Sequence, residues 1–118
     1  MRKSFKILIL WLLCWTQFCY SQTTNRVSEF KNDQVSVWKT TIYPGTKNIL
    51  KMHRHDHDRI VVALDKGLIR ITSKKGKMHY LHLQKNKSYY FKRDPMQEYH
   101  TDENLSPHPI HFIVIELA

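Results

Sequence analysis

Three histidines occupy alternate positions in the middle of the chain: His53, His55 and His57. In an extended strand, successive side chains point to opposite faces, so these three imidazoles would share one face. Neighbours on that face lie about 6.8 Å apart, and two imidazoles at that separation can converge on one ion with bonds of about 2.0–2.1 Å. The spacing indicates a metal site. The alternative is a solvated strand whose histidines titrate near neutral pH without a partner.

The rest of the chain predicts the strands that must position these side chains. No apolar pattern of helical period is sustained over the length of a helix, whereas short β-branched and aromatic runs recur about every 8–12 residues with turn signals between them. One such run, Val35–Ile42, contains Trp38, which we expect in the core. This pattern predicts an all-β fold, either a sandwich or a compact barrel. Turns are expected at Pro44-Gly45, Lys66-Gly67, Lys74-Lys75-Gly76 and Lys85-Asn86-Lys87.

The first 21 residues have the pattern of a secretory signal peptide. Three basic residues precede an apolar run of 12 residues, Ile7–Phe18, and small residues at Cys19 and Ser21 predict cleavage before Gln22. The apolar run is shorter than the roughly 20 residues that span a bilayer, so a retained N-terminal anchor is the weaker alternative. Residues 22–33 are polar and aperiodic, and we expect a flexible lead-in there, followed by one domain over 34–118.

Removal of that leader changes both the cysteine count and the charge. Both cysteines, Cys14 and Cys19, lie within it, so the mature chain must be stabilised by its core without disulfides. Removing three of the 19 basic residues leaves 16 against 10 acidic residues, a net charge of +6. Export argues against a nucleic-acid partner, and the scattered lysines indicate a solvated surface. The candidate core residues are Val61, Leu64, Ile69, Leu81, Ile113 and Ile115.

Two groups of residues resemble the motifs of the cupin superfamily. The first motif, a glycine followed by His-x-His, a glutamate and a second glycine, is matched at Gly45, His53, His55 and Gly67, with Arg59 in the glutamate position. The second motif is matched at Pro95, His100 and Asn104. The resemblance covers about residues 34 to 117 and implies a small double-stranded β-helix, a jelly-roll barrel. More narrowly, His53–Asp58 followed by Ile60–Val62 is similar to the small single-domain cupins associated with β-alanine degradation.

The resemblance implies that His53, His55 and His100 bind a divalent ion, which would be Fe, Mn, Zn, Ni or Cu. The glutamate that usually completes this ligand set is absent, because an arginine has no lone pair to donate and carries a permanent positive charge. Three arrangements follow. The three histidines hold an ion alone; Glu98, two residues before His100, or His57 adds a ligand; or the pocket has no metal and Arg59 clamps an anion bidentately. His79, His82, His108 and His111 lack ligand spacing and are expected in core or surface roles.

The function expected from these residues is the binding of a small anionic molecule in the barrel of an exported, periplasmic or secreted cupin. One alternative is a metal-dependent enzyme of the dioxygenase or isomerase type, and another is an envelope protein that buffers metal without catalysis. A small-molecule ligand is the expected partner, with no nucleic acid and no stable membrane insertion of the mature chain. The sequence leaves a homodimer open.

Overall fold

The protein is described by a computed structural model covering residues 23–96 and 98–118, so the predicted signal peptide lies outside the described residues. Within these residues the fold is all-β, as predicted, with a short 3-10 turn at Thr46–Asn48. The strands are β1 (Asn25–Lys31), β2 (Val35–Ile42), β3 (Leu50–His53), β4 (Arg59–Ala63), β5 (Gly67–Ser73), β6 (Met78–Leu83), β7 (Ser88–Phe91), β8 (His100–Asn104) and β9 (Ile110–Leu117).

The strands form two antiparallel sheets. One has the order β1-β2-β9-β4-β7 and the other the order β3-β8-β5-β6. Successive strands alternate between the sheets from β2 to β5 and from β6 to β9, so residues distant in sequence meet across the barrel. The apolar core consists of Trp38, Ile42, Val61, Ala63, Ile69, Leu83, Ile110, Phe112 and Val114. The predicted core positions of Trp38, Val61 and Ile69 are confirmed.

The core prediction for the last strand is wrong. Ile110, Phe112 and Val114 are buried, whereas Ile113 and Ile115 are only half-buried on the opposite face of β9. Nearly every residue of this strand is apolar, so alternation alone did not show which face points inward; the pairing of β9 between β2 and β4 decides it. Of the other two candidates, Leu81 packs against the core while half-buried, and Leu64 is half-buried and is not in the cluster.

Residues 25–31, which lie within the expected flexible lead-in, form β1. This strand pairs antiparallel with β2 and gives that strand a hydrogen-bonded neighbour on its outer side. Every residue of β1 is exposed, so no buried apolar face marks it in the sequence. Its Arg26 guanidinium lies 4.0 Å from the centroid of the Trp38 ring, within the range of a cation–π contact.

Close packing explains the glycine at position 67, where β5 begins. A Cβ atom there would lie 2.3 Å from Cδ1 of Ile110 and 2.9 Å from Oγ of Ser106, well inside van der Waals contact. The neighbouring amide of Leu68 donates a 2.8 Å hydrogen bond to the same Ser106 hydroxyl. Gly67 therefore lets the first residue of β5 lie close to Ile110 at the start of β9.

In the described parts of the chain, no helix has the length and apolar character needed to cross a membrane.

Candidate metal centre

Strands β3 and β8 bring the predicted histidines together at one end of the cavity. His53 is the last residue of β3 and pairs with His100, the first residue of β8. The centroids of the His53 and His100 rings are 4.4 Å apart, and the centroid of the His55 ring lies 5.0 Å from that of His53 and 5.7 Å from that of His100. The three residues form one cluster, although 47 positions separate the first from the last in the sequence.

The single extended strand expected for the first three histidines is not formed. β3 ends at His53, and residues 54–58 connect it irregularly to β4. His55 keeps its place in the cluster because its amide donates a 2.7 Å hydrogen bond to a carboxylate oxygen of Asp94. His57, beyond the end of the strand, is exposed and outside the cluster. It is therefore not brought to the ion site.

The geometry of the cluster suits a single divalent ion. One ligand nitrogen from each of His53, His55 and His100 can be chosen so that all lie within 4.8 Å of one another. Nitrogens bound to one ion with bonds of about 2.1 Å are separated by at most about 4.2 Å, so small side-chain rotations suffice to close the site. A backbone contact determines which nitrogen of His53 is available to an ion. Its Nδ1 lies 2.6 Å from the carbonyl oxygen of Lys51, which can only accept, so Nδ1 donates there and Nε2 is the nitrogen that can bind a metal.

The electrostatic environment keeps two of these imidazoles neutral. Burial, followed by the positive charges of Arg59 and the other histidines, lowers the pKa of His55 from 6.5 to about 2. Burial also lowers the pKa of His100, against the opposing effect of the Asp102 carboxylate. A metal binds the neutral imidazole, so both shifts reduce competition from protons.

Asp102, beside the histidine cluster, is a residue that the sequence reasoning missed. Its carboxylate lies between two histidines, with Oδ2 3.6 Å from Nε2 of His53 and Oδ1 3.7 Å from Nε2 of His100. Oδ1 is buried and has no hydrogen-bond partner. Burial raises the pKa of this carboxyl, while the nearby histidines and Arg59 oppose the shift. The signal available in the sequence was the spacing His100-x-Asp102, which puts both side chains on one face of a strand.

Arg59 lies in the wall of the cavity, but its charge is already partnered. Its Nη2 is 3.7 Å from a carboxylate oxygen of Asp94, and its Nη1 donates a 3.2 Å hydrogen bond to the carbonyl oxygen of Lys92. The guanidinium carbon lies 5.4 Å from the centroid of the Phe91 ring. Burial lowers the pKa of Arg59, and Asp94 is the strongest influence in the opposite direction. Asp94 thus offsets part of the positive charge that the sequence places beside the histidines.

The other residues singled out in the sequence lie outside the histidine cluster. Glu98 is exposed at the cavity and does not belong to the histidine cluster. Asn104, the last residue of the second motif, has a structural role, since its side-chain amide donates 2.8 Å hydrogen bonds to the carbonyl oxygens of Ile42 and His108. The four histidines not predicted as ligands are likewise outside the cluster: His79, His82, His108 and His111.

The cluster opens onto a cavity of about 360 Å³ between the two sheets. Its apolar wall includes Trp38, Phe112 and Val114 from the core. The charged residues that line it are four basic and three acidic side chains: Arg26, Arg59, Lys77, Lys92, Asp94, Glu98 and Asp102. The volume is within the range of sites for small molecules.

The donors present fit a divalent transition metal. Imidazole nitrogens suit Zn, Cu, Fe and Ni, and the buried Asp102 Oδ1 is an anionic donor without a partner in the protein. Three histidines with room beside them also match the pattern of catalytic zinc sites, in which a further position is taken by water or substrate.

Comparison by sequence finds no relative. No protein-family model matches the chain, and no curated protein matches its sequence.

Comparison with solved structures identifies the fold. A cupin domain from Bordetella pertussis Tohama I has a TM-score of 0.70 at 22% sequence identity, over 84% of this chain and 97% of that one. An RmlC-like cupin family protein with a double-stranded β-helix fold from Methanocaldococcus jannaschii has a TM-score of 0.60 at 12% identity, over 84% of each chain. A protein with a double-stranded β-helix domain from Klebsiella pneumoniae has a TM-score of 0.59 at 16% identity, over 86% of this chain and 84% of that one. At these identities the likeness concerns the fold, and the cupin fold expected from the sequence is confirmed.

Proposed function

We propose that this protein binds one divalent metal ion at His53, His55 and His100 and uses it to hold a small anionic molecule in the cavity. The observation that carries the proposal is the convergence of three histidines from separate parts of the chain on one end of a cavity. Two of them have pKa values lowered by burial, which keeps the nitrogen lone pairs available to a metal. A bound ion with open positions would supply Lewis-acid chemistry to a ligand in the cavity.

The preference for an anion follows from the charges around the cavity. Basic side chains outnumber acidic ones in its lining, and a divalent ion would add two further positive charges. Arg26 reaches the cavity from β1, where it stacks on Trp38. Burial lowers the pKa of Arg26, so its guanidinium is already partly desolvated and would interact strongly with an anionic group.

The arrangement without a metal, in which Arg59 clamps the anion, has less support. An incoming carboxylate would have to displace Asp94 from Arg59 and leave that half-buried acid without its counter-ion. Arg59 also uses one of its nitrogens to bond the carbonyl oxygen of Lys92, which leaves fewer donors for a bidentate contact.

An enzyme of the dioxygenase or isomerase type is the second candidate, because the cavity adjoins the histidine cluster and could admit a substrate to the metal. A metal-buffering role has less support, because buffering needs accessible histidines, whereas His53 and His55 are half-buried and His100 is buried. The narrower likeness to the cupins associated with β-alanine degradation stays a prediction. Export to the periplasm or medium is proposed from the leader sequence alone.

The proposal is tested by elemental analysis and calorimetry on protein purified without a histidine tag. We expect about one equivalent of Zn²⁺, Mn²⁺, Fe²⁺, Ni²⁺ or Cu²⁺ per chain after supplementation, and loss of tight binding in His55→Ala. His57→Ala is the matched control, because it removes an exposed histidine two positions away that is outside the cluster. Equal affinities in wild type and His55→Ala would contradict the site.

The role of the ion in holding an anion is tested by titrating short carboxylates with and without metal. Binding that requires the metal supports the proposal. Binding that persists in EDTA and disappears in Arg59→Gln would support the anion clamp instead.

A further inference from the structure

We propose that Asp102 is the fourth protein ligand of the ion, so that the centre is built from three imidazoles and one carboxylate. The inference rests on the proposed metal function and deepens it, because it identifies a ligand that neither the histidine spacing nor Arg59 indicates. It also specifies the charge of the centre, since a carboxylate would neutralise half of the charge of a divalent ion.

The position of Asp102 in the fold directs its carboxylate at the cluster. It is the central residue of β8, two positions after His100, so both side chains point to the same side of the sheet. β8 lies between β3 and β5, which shields the strand on both sides. The Asp102 side chain is only 14% exposed.

The distances are those of neighbouring ligands on one ion. Two ligands with bonds of about 2.1 Å are separated by about 3.0 Å at a right angle and about 3.4 Å at the tetrahedral angle. The Asp102 oxygens lie 3.6 Å from Nε2 of His53 and 3.7 Å from Nε2 of His100. Both separations slightly exceed the tetrahedral value and are longer than a hydrogen bond, so the three groups surround a point without bonding one another directly.

The buried oxygen of Asp102 has no partner among the residues that the structure describes. Oδ1 accepts no hydrogen bond, although it lies in the interior beside His100. A divalent ion between Asp102, His53 and His100 would bind this oxygen.

In the described chain, Asp102 has no lysine or arginine partner within 4.0 Å. Within 4.0 Å its ion-pair partners are the imidazoles of His53 and His100. Arg59 pairs with Asp94 instead, at 3.7 Å. A buried carboxylate without a counter-ion is strongly disfavoured, and binding a metal is one of the two usual ways in which proteins stabilise such a charge.

The test uses Co²⁺, whose visible d–d spectrum reports the number and type of its ligands. Asp102→Asn keeps the shape of the side chain and removes its charge. We expect it to lower Co²⁺ affinity by at least about tenfold and to change the d–d spectrum, because a weaker donor replaces the carboxylate. Glu103→Gln is the matched control, since it removes a charge from the next residue of β8, whose carboxylate pairs with Arg70 at 2.8 Å and not with a histidine of the cluster. It should leave both the affinity and the spectrum as in wild type.

A second variant keeps the test decisive if Asp102→Asn does not fold. Asp102→Cys places a thiolate at the same point, and a thiolate bound to Co²⁺ gives an intense near-ultraviolet charge-transfer band. Wild type is the control, because its cysteines are Cys14 and Cys19 at the start of the chain. The band should appear in Asp102→Cys and not in wild type.

The failures of the two proposals are distinguishable. Wild type that binds no Co²⁺ overturns the metal function and the Asp102 ligand together. A different result overturns only the assignment of Asp102. In that case wild type binds Co²⁺ and His100→Ala does not, but the spectrum of Asp102→Asn is unchanged or folded Asp102→Cys shows no band.

Discussion

Acid should destabilise the metal-free protein through His55. Burial lowers the pKa of this imidazole to about 2 in the folded state, against 6.5 in the unfolded chain. Between these two values the unfolded state binds the additional proton, so the free energy of unfolding falls as the pH falls below 6.5. The contribution of His55 is therefore fully present above pH 6.5 and is lost on acidification.

The size of the effect follows from proton linkage. If His55 stays neutral in the folded protein, lowering the pH from 7 to 5 costs about 2 kcal/mol of stability at this group alone. The pKa of His100 is lowered in the same direction and adds to the effect. For a domain with a total stability of about 5–15 kcal/mol, this is a large loss.

Urea unfolding in EDTA between pH 7 and pH 5 measures the loss, with His55→Gln as the test variant. The side chain of His55 is only 12% exposed, so the variant removes a buried titrating group and should flatten the pH dependence by about 2 kcal/mol. His57→Gln, at an exposed position, should keep the slope of wild type. Equal slopes in wild type and His55→Gln would refute the reasoning, because they would show that His55 is protonated alike in both states.

The other predictions concern packing and export. Gly67→Ala should lower the free energy of urea unfolding by about 1–3 kcal/mol, because the added Cβ overlaps Ile110; wild-type stability would contradict the close approach. Ile110→Ala should cost about 2–5 kcal/mol at a fully buried position, and the half-buried Ile113→Ala should cost clearly less; the reverse order would restore the original assignment of the faces of β9. Protein secreted by the native host should begin at Gln22 on N-terminal sequencing and should melt at the same temperature with and without reductant. Recovery of Met1 on membrane-bound material would show that the leader is retained.

The sequence predicted the features that depend on local chemistry. Turns expected from glycine and asparagine are present where the backbone has positive φ, at Gly45, Gly76 and Asn86. The histidine cluster was also predicted, because His53 and His55 are close in sequence and the cupin motif supplied His100. The fold class followed from the short strands and their turns.

The features that were missed depend on pairing between distant strands. β1 has no buried face, so only its hydrogen bonds to β2 identify it as a strand. The direction of Ile113 depends on the register of β9 in the sheet. Asp102 resembles any other acidic residue in the sequence, and it becomes distinctive only when β3 and β8 place two histidines beside its buried oxygen.

The central claim is that one ion is bound among His53, His55 and His100, and anomalous diffraction from a metal-loaded crystal tests it most directly. Data collected at the absorption edge of the metal should show one anomalous peak per chain, about 2.0–2.2 Å from a nitrogen of each of the three histidines. An anomalous peak at other residues, or no peak at the cluster in crystals that contain one equivalent of metal, would contradict the account.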